Sequence, residues 1–118
     1  MTKPRGKPPT RRSASPELLE FVAQRFRALG EPARLSVLHA LEGGERSVSD
    51  LVATTGMSQG NLSKHLQLLH AMGFLKRRRE GAWVFYALAD DSVLTLCELM
   101  CDRLEDDVDA IHALVRAR

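Results

Sequence analysis

Between Ser58 and Gln67 the chain reads Ser-Gln-Gly-Asn-Leu-Ser-Lys-His-Leu-Gln. Leu62, Leu66 and Leu69 recur at helical spacing and make one buried stripe, which leaves Gln59, Gly60, Asn61, Ser63, Lys64 and Gln67 on the other side. Those types suit the edge of a nucleic-acid base. The amides of Gln59 and Asn61 donate and accept together, as adenine does; Lys64 suits guanine or a phosphate; Gly60 lets a backbone come close; Ser58 is a helix cap. The same pattern also describes a merely solvated polar face. Further on, Arg77, Arg78 and Arg79 stand in a row. In a strand, alternation sets Arg77 and Arg79 on one face and Arg78 on the opposite one, so a pair of them reaches phosphates or a minor groove. Alternatively, the three form a charged edge that resists aggregation. Cys97 and Cys101 lie four residues apart, which on a helix turns both thiols the same way. Such thiols suit a soft metal or metalloid ion, or an oxidant or polysulfide; they also pack as small apolar groups.

These residues need a scaffold, and the punctuation of the chain predicts one. Ser15-Pro16 starts a helix carrying Leu18, Leu19, Val22, Phe26 and Leu29, and Gly30 ends it. Pro32 opens a second helix that stops at Gly43-Gly44. Ser47, followed three residues later by Asp50, caps a short third helix closed by Gly56. Ser58 caps the fourth, and Gly73 terminates it. Two short helices joined by so few residues form a helix-turn-helix. After Gly73 the apolar period falls from 3.6 to 2, and the runs on either side of Glu80-Gly81 form a β-hairpin with Trp83, Phe85 and Tyr86 in its core and dimer packing. Asp90 and Asp91 favour the first turn of a last helix. Its stripe of Leu94, Cys97, Cys101, Leu104, Val108, Ile111 and Val115 runs for about six turns and requires a partner. The expected fold is mainly α with a β-hairpin wing: a winged helix-turn-helix of five helices, dimeric through its terminal helices. Residues 1–15 are expected to be a disordered basic arm and residues 16–118 one DNA-binding and dimerisation domain.

Composition narrows the function. The 118 residues are 44% hydrophobic and 27% charged, as for one folded domain. No apolar run nears the roughly 18 residues that span a bilayer, and two cysteines make no disulfide framework, so a cytoplasmic protein is expected. The net charge of +2 conceals segregation: residues 1–15 hold five cations and no acid, whereas residues 90–109 hold eight acids against Arg103. One side meets a polyanion and the other meets water. No phosphate loop, His-Glu-x-x-His motif or nucleophile elbow occurs, and an enzyme is not expected. The other class to weigh is a winged helix that docks protein; it predicts no salt-sensitive DNA affinity.

The stretches from Phe26 to Leu35, Ser47 to Leu51, Met57 to Leu66, and Gly73-Phe74-Leu75 with its basic wing resemble the ArsR/SmtB family. The resemblance covers roughly residues 17–110. It implies a homodimeric repressor that binds a palindromic operator in double-stranded DNA and releases it to a metal, metalloid or thiol-directed signal. It also implies DNA contacts at Gln59, Gly60, Ser63 and Lys64. Where arsenic sensors of the family carry cysteines, this chain has Ser47 and Ser49. Where zinc sensors carry a carboxylate-and-histidine set, it has Asp90, Ser92, Arg103 and Asp106, which lack the nitrogen ligands. Sulfide sensors pair an early cysteine with a late one, and no early cysteine exists here. His112 lies about 16 Å along the helix from Cys101 and cannot share an ion with it in one chain. Cys97 and Cys101 remain as the sensor candidates, against the alternative of a repressor without cysteine-based sensing.

Overall fold

The computed structural model describes residues 13–117; the basic arm falls outside them as far as Arg12. In chain order the elements are α1 (Pro16–Leu29), α2 (Pro32–Ala40), β1 (Arg46–Ser47), α3 (Val48–Thr55), α4 (Gln59–Ala71), β2 (Leu75–Glu80), β3 (Trp83–Leu88) and α5 (Ser92–Arg116). Three serines start three helices in the same way. Ser15 Oγ accepts from the Leu18 amide at 3.1 Å, Ser47 Oγ from Asp50 at 3.1 Å, and Ser58 Oγ from Asn61 at 3.3 Å. Each satisfies one of the amides that a helix start leaves unpaired. Between α3 and α4 the chain turns through Gly56, whose φ of 73° lies in the left-handed region. That turn sets the two helices of the helix-turn-helix against each other.

The core is built by α2, α3 and α4 with the base of the wing. Val37, Leu38, Leu41, Leu51, Leu62, Leu66 and Leu69 are all sealed from solvent, joined by Leu75, Tyr86 and Val93. The leucine stripe of α4 is thus the centre of the domain. Arg34 ties α1 on: its Nε donates to the Ala28 carbonyl at 2.5 Å and a terminal nitrogen donates to Arg27 at 3.2 Å, so one guanidinium covers the carbonyl end of α1.

Several details depart from the sequence-based expectation. A third strand joins the hairpin: Arg46 pairs with Tyr86 and Ser47 with Phe85, giving the order β1-β3-β2. Two residues carry no periodicity, so this strand leaves no trace in the pattern. Helix α2 ends at Ala40, before Gly43. Asp90 and Asp91 precede the first turn of α5; Asp91 is its N-cap residue without a side-chain cap bond, and the Asp90 carboxylate accepts from the Ser92 amide at 2.8 Å. Trp83 is 56% exposed at the end of the hairpin and lies outside the core, whereas Tyr86 is buried and Phe85 half-buried. On α5 only Val93 is buried; from Leu104 onward the apolar stripe is exposed.

Leu66→Ala is expected to lower the unfolding free energy by about 2–5 kcal/mol, because the site is closed on all sides. Ser58→Ala is expected to cost about 1 kcal/mol through the lost cap. Urea midpoints at fixed protein concentration measure both.

Candidate nucleic-acid interface

Burying Leu62, Leu66 and Leu69 fixes how α4 is turned about its axis. Gln59, Gly60, Asn61, Lys64 and Gln67 are exposed as a result, with Ser63 half-buried among them and Ser58 at the cap. A Cβ built at Gly60 meets nothing within 4 Å. Neither the fold nor a neighbour requires a glycine there, although glycine weakens a helix. What it leaves is a bare patch of backbone on an outward face. A groove of about 240 Å³ separates α4 from the wing; Gln59, Ser63 and Gln67 line one wall and Arg77, Val84 and Trp83 line the other. Ser49, at the start of α3, also lines it. The sequence pattern gave no reason to include Ser49, and it favoured Trp83 for the hairpin core over base stacking; only the packing of α3 and the wing brings both beside α4.

The three arginines divide as alternation requires. Arg77 and Arg79 pair across the ladder with Tyr86 and Val84, and Arg78 pairs with Phe85 on the other face. Arg78 is occupied: it donates to Glu45 at 2.7 and 3.1 Å and to Glu80 at 2.6 Å, and its guanidinium lies 4.4 Å from the centre of the Phe85 ring. Glu45 lies next to β1, so this contact fastens the middle of the wing to the strand that completes the sheet. Among the described residues, Arg77, Arg79 and Lys64 make no salt bridge. Glu45 is 33 positions from Arg78, and no local pattern announces the pairing.

Cys97 and Cys101 line one groove, as their spacing predicts. Cys97 is half-buried, and burial, then the neighbouring Cys101, pushes its thiol above the ordinary range; Cys101 is exposed. Phe26 of α1 together with Leu35 and His39 of α2 completes the walls. The sequence places none of these near α5. Among the described residues, no group of three or more His, Cys, Asp or Glu side chains is arranged to hold a metal ion.

Residues 31–77, the span from α2 into the wing, match the model of the bacterial regulatory protein arsR family. The chain is 36% identical over 85 residues to an uncharacterised helix-turn-helix transcriptional regulator of Methanocaldococcus jannaschii, covering 71% of this chain and 96% of that one. It is 34% identical over 100 residues to a transcriptional repressor SmtB homolog of Synechocystis, covering 80% and 76%. A solved homodimeric winged helix-turn-helix DNA-binding domain from Mycobacterium bovis superposes with a TM-score of 0.70 at 33% identity, over 79% of this chain and 86% of that one. The chain belongs to the ArsR/SmtB family. It is a DNA-binding transcriptional regulator rather than an enzyme, since its relatives are regulators. For this ArsR/SmtB chain the polar face of α4 and the wing form the candidate DNA surface. No helix among the described residues is long and apolar enough to cross a membrane.

Arg78 holds the Glu45 carboxyl below the ordinary glutamate value of 4.5. A depressed carboxyl pKa contributes while the group is ionised, and the contribution is lost as pH falls through the folded-state value. The Nε–H resonance of Arg78 is therefore expected to hold steady down to the mildly acidic range and to titrate with a midpoint below 4.5, the reference value for Glu45. Glu45→Gln should abolish that titration. A midpoint at or above the reference would contradict the contact.

Proposed function

We propose that this chain is a cytoplasmic homodimeric repressor that binds a short palindromic operator in double-stranded DNA and is released by a thiol-directed signal. The observation that carries the DNA part is the outward polar face of α4 beside a wing whose Arg77 and Arg79 have no acid partner among the described residues. In this reading α4 enters the major groove. Gln59, Asn61 and Gln67 address base edges, Lys64 a guanine or phosphate, and Ser58 and Ser63 the backbone, while Gly60 allows close approach. Arg77 and Arg79 follow the adjoining phosphates or minor groove.

Dimerisation supplies the second reader. Phe21 and Phe26 of α1 and Leu104, Val108 and Ile111 of α5 are exposed, in an apolar area that a second copy would cover. A two-fold arrangement of this kind sets the two α4 helices about 34 Å apart, one turn of DNA, which is why a palindrome is expected. The signal is assigned to Cys97 and Cys101, as a soft metal or metalloid ion or as reactive sulfur or an oxidant. Their location on α5, within reach of the dimer seam, links their chemistry to that spacing. The half-burial of Cys97 also favours a second reading, in which the thiols only pack and the repressor answers to something else.

Fluorescence anisotropy on the DNA upstream of the coding region separates these readings. Lys64→Ala should weaken binding about tenfold and lessen the salt slope by about one, without unfolding the protein. Gly60→Ala should stabilise the fold by up to about 1 kcal/mol and still weaken binding, since the methyl meets only the DNA. Unchanged affinity in both would remove α4 from the interface.

The double variant Cys97→Ser/Cys101→Ser should keep reduced-state affinity and lose release by arsenite, Cu(I), polysulfide and mild oxidant. Release that persists in the double variant would assign the thiols to packing.

A further inference from the structure

Glu45 is an acid held against the wing that a polyanion is to approach, so by charge alone it opposes binding. Its setting says otherwise. The sheet order puts β2 at one edge and β1 at the other, with β3 between them. Arg78 starts from β2, crosses the Phe85 ring of β3 and reaches Glu45 beside β1, so one side chain spans the sheet. Its Nε and one terminal nitrogen donate to different oxygens of the Glu45 carboxylate, a two-pronged contact that fixes direction as well as distance. The two residues after Glu45 are committed to both the wing and α3. Arg46 pairs with Tyr86 and donates to the Thr54 hydroxyl of α3 at 3.2 Å; Ser47 pairs with Phe85 and caps α3. Residues 45–47 thus brace both hairpin strands against the first helix of the helix-turn-helix. Toward its base the wing is held by burial of Leu75 and Tyr86, whereas Arg77, Arg79 and Trp83 are exposed. The contact sits where burial stops holding the hairpin.

We propose that Glu45 is a positioning residue for operator recognition. Acting through Arg78, it fixes the outer wing relative to α4, so that Arg77 and Arg79 meet phosphates in register with the bases that α4 reads. The inference rests on the DNA-binding reading above and names a residue that sets its selectivity. Non-specific affinity depends mainly on the number of cations and tolerates a loose wing. Operator affinity requires the wing and α4 to fit one stretch of duplex together, because backbone contacts set the register of base contacts. Removing Glu45 therefore adds net positive charge and still weakens discrimination.

Glu45→Ala, Arg78→Ala and the double variant test this in the full-length protein, by anisotropy on the upstream DNA and on a random-sequence duplex of equal length. The ratio of the two affinities cancels the charge that each variant adds or removes. Glu45→Ala is expected to bind the random duplex at least as tightly as the unaltered protein. It should lose roughly tenfold in the ratio, about the cost of one mismatched base pair, and a fall of about threefold or less overturns the proposal. Arg78→Ala should lose as much, and the double variant no more than either, because the pair acts as one unit. Both affinities moving by one factor, upward from charge or downward from partial unfolding, leaves the ratio unmoved and also overturns it. So do losses that add in the double variant, which would make Arg78 a direct DNA contact. Lys64→Ala, run alongside, keeps the two ideas apart. If it weakens operator binding while the Glu45→Ala ratio holds, only the positioning role falls. If the unaltered protein does not discriminate between the two duplexes, both fall.

Discussion

Burial of Leu62, Leu66 and Leu69 against α2, α3 and the base of the wing is the constraint on which the rest of the molecule depends. Three side chains at a helical period leave α4 one orientation about its axis. That orientation decides which residues face outward. Because protein interiors are close-packed, the helix cannot roll to a second position without opening a cavity. The outward residues are thus presented by a rigid element, and the bare backbone at Gly60 is held at a constant height above it. A surface that must match a DNA groove needs this kind of support.

Charge is distributed with the same economy. Of three successive arginines, the middle one is spent inside the protein on Glu45, Glu80 and the Phe85 ring. Its neighbours stay available because strand alternation turns them the other way. The wing is thereby fastened by a cation on one face and remains cationic on the other. Such exposed pairs add little to global stability, so the role of Arg78 is local geometry. The acids of α5 are carried on a helix separate from α4 and the wing.

The core is small for a domain of this length, and much apolar surface on α1 and α5 lies outside it. Chains of this size bury a modest fraction of their surface when alone. Covering those helices with a second copy therefore couples folding to association. The thiols share a groove with Phe26 of α1 and Leu35 of α2.

The sequence alone determined the helix starts, the helix-turn-helix, the hairpin and the alternation of the arginines. Each is a local matter of capping serines, glycine stops and a change of period, and each can be read within about a dozen residues. It also limited the sensor candidates to two thiols on one helix face. Tertiary structure decided what depends on distant partners. Strand β1 exists only because β3 offers it a ladder. Arg78 is neutralised by an acid 33 positions away. Trp83 is exposed because the hairpin ends beyond the core, and the cysteines gain apolar neighbours from α1 and α2 only in the folded chain. Local pattern specifies which face an element turns inward; only the folded chain specifies what that face meets.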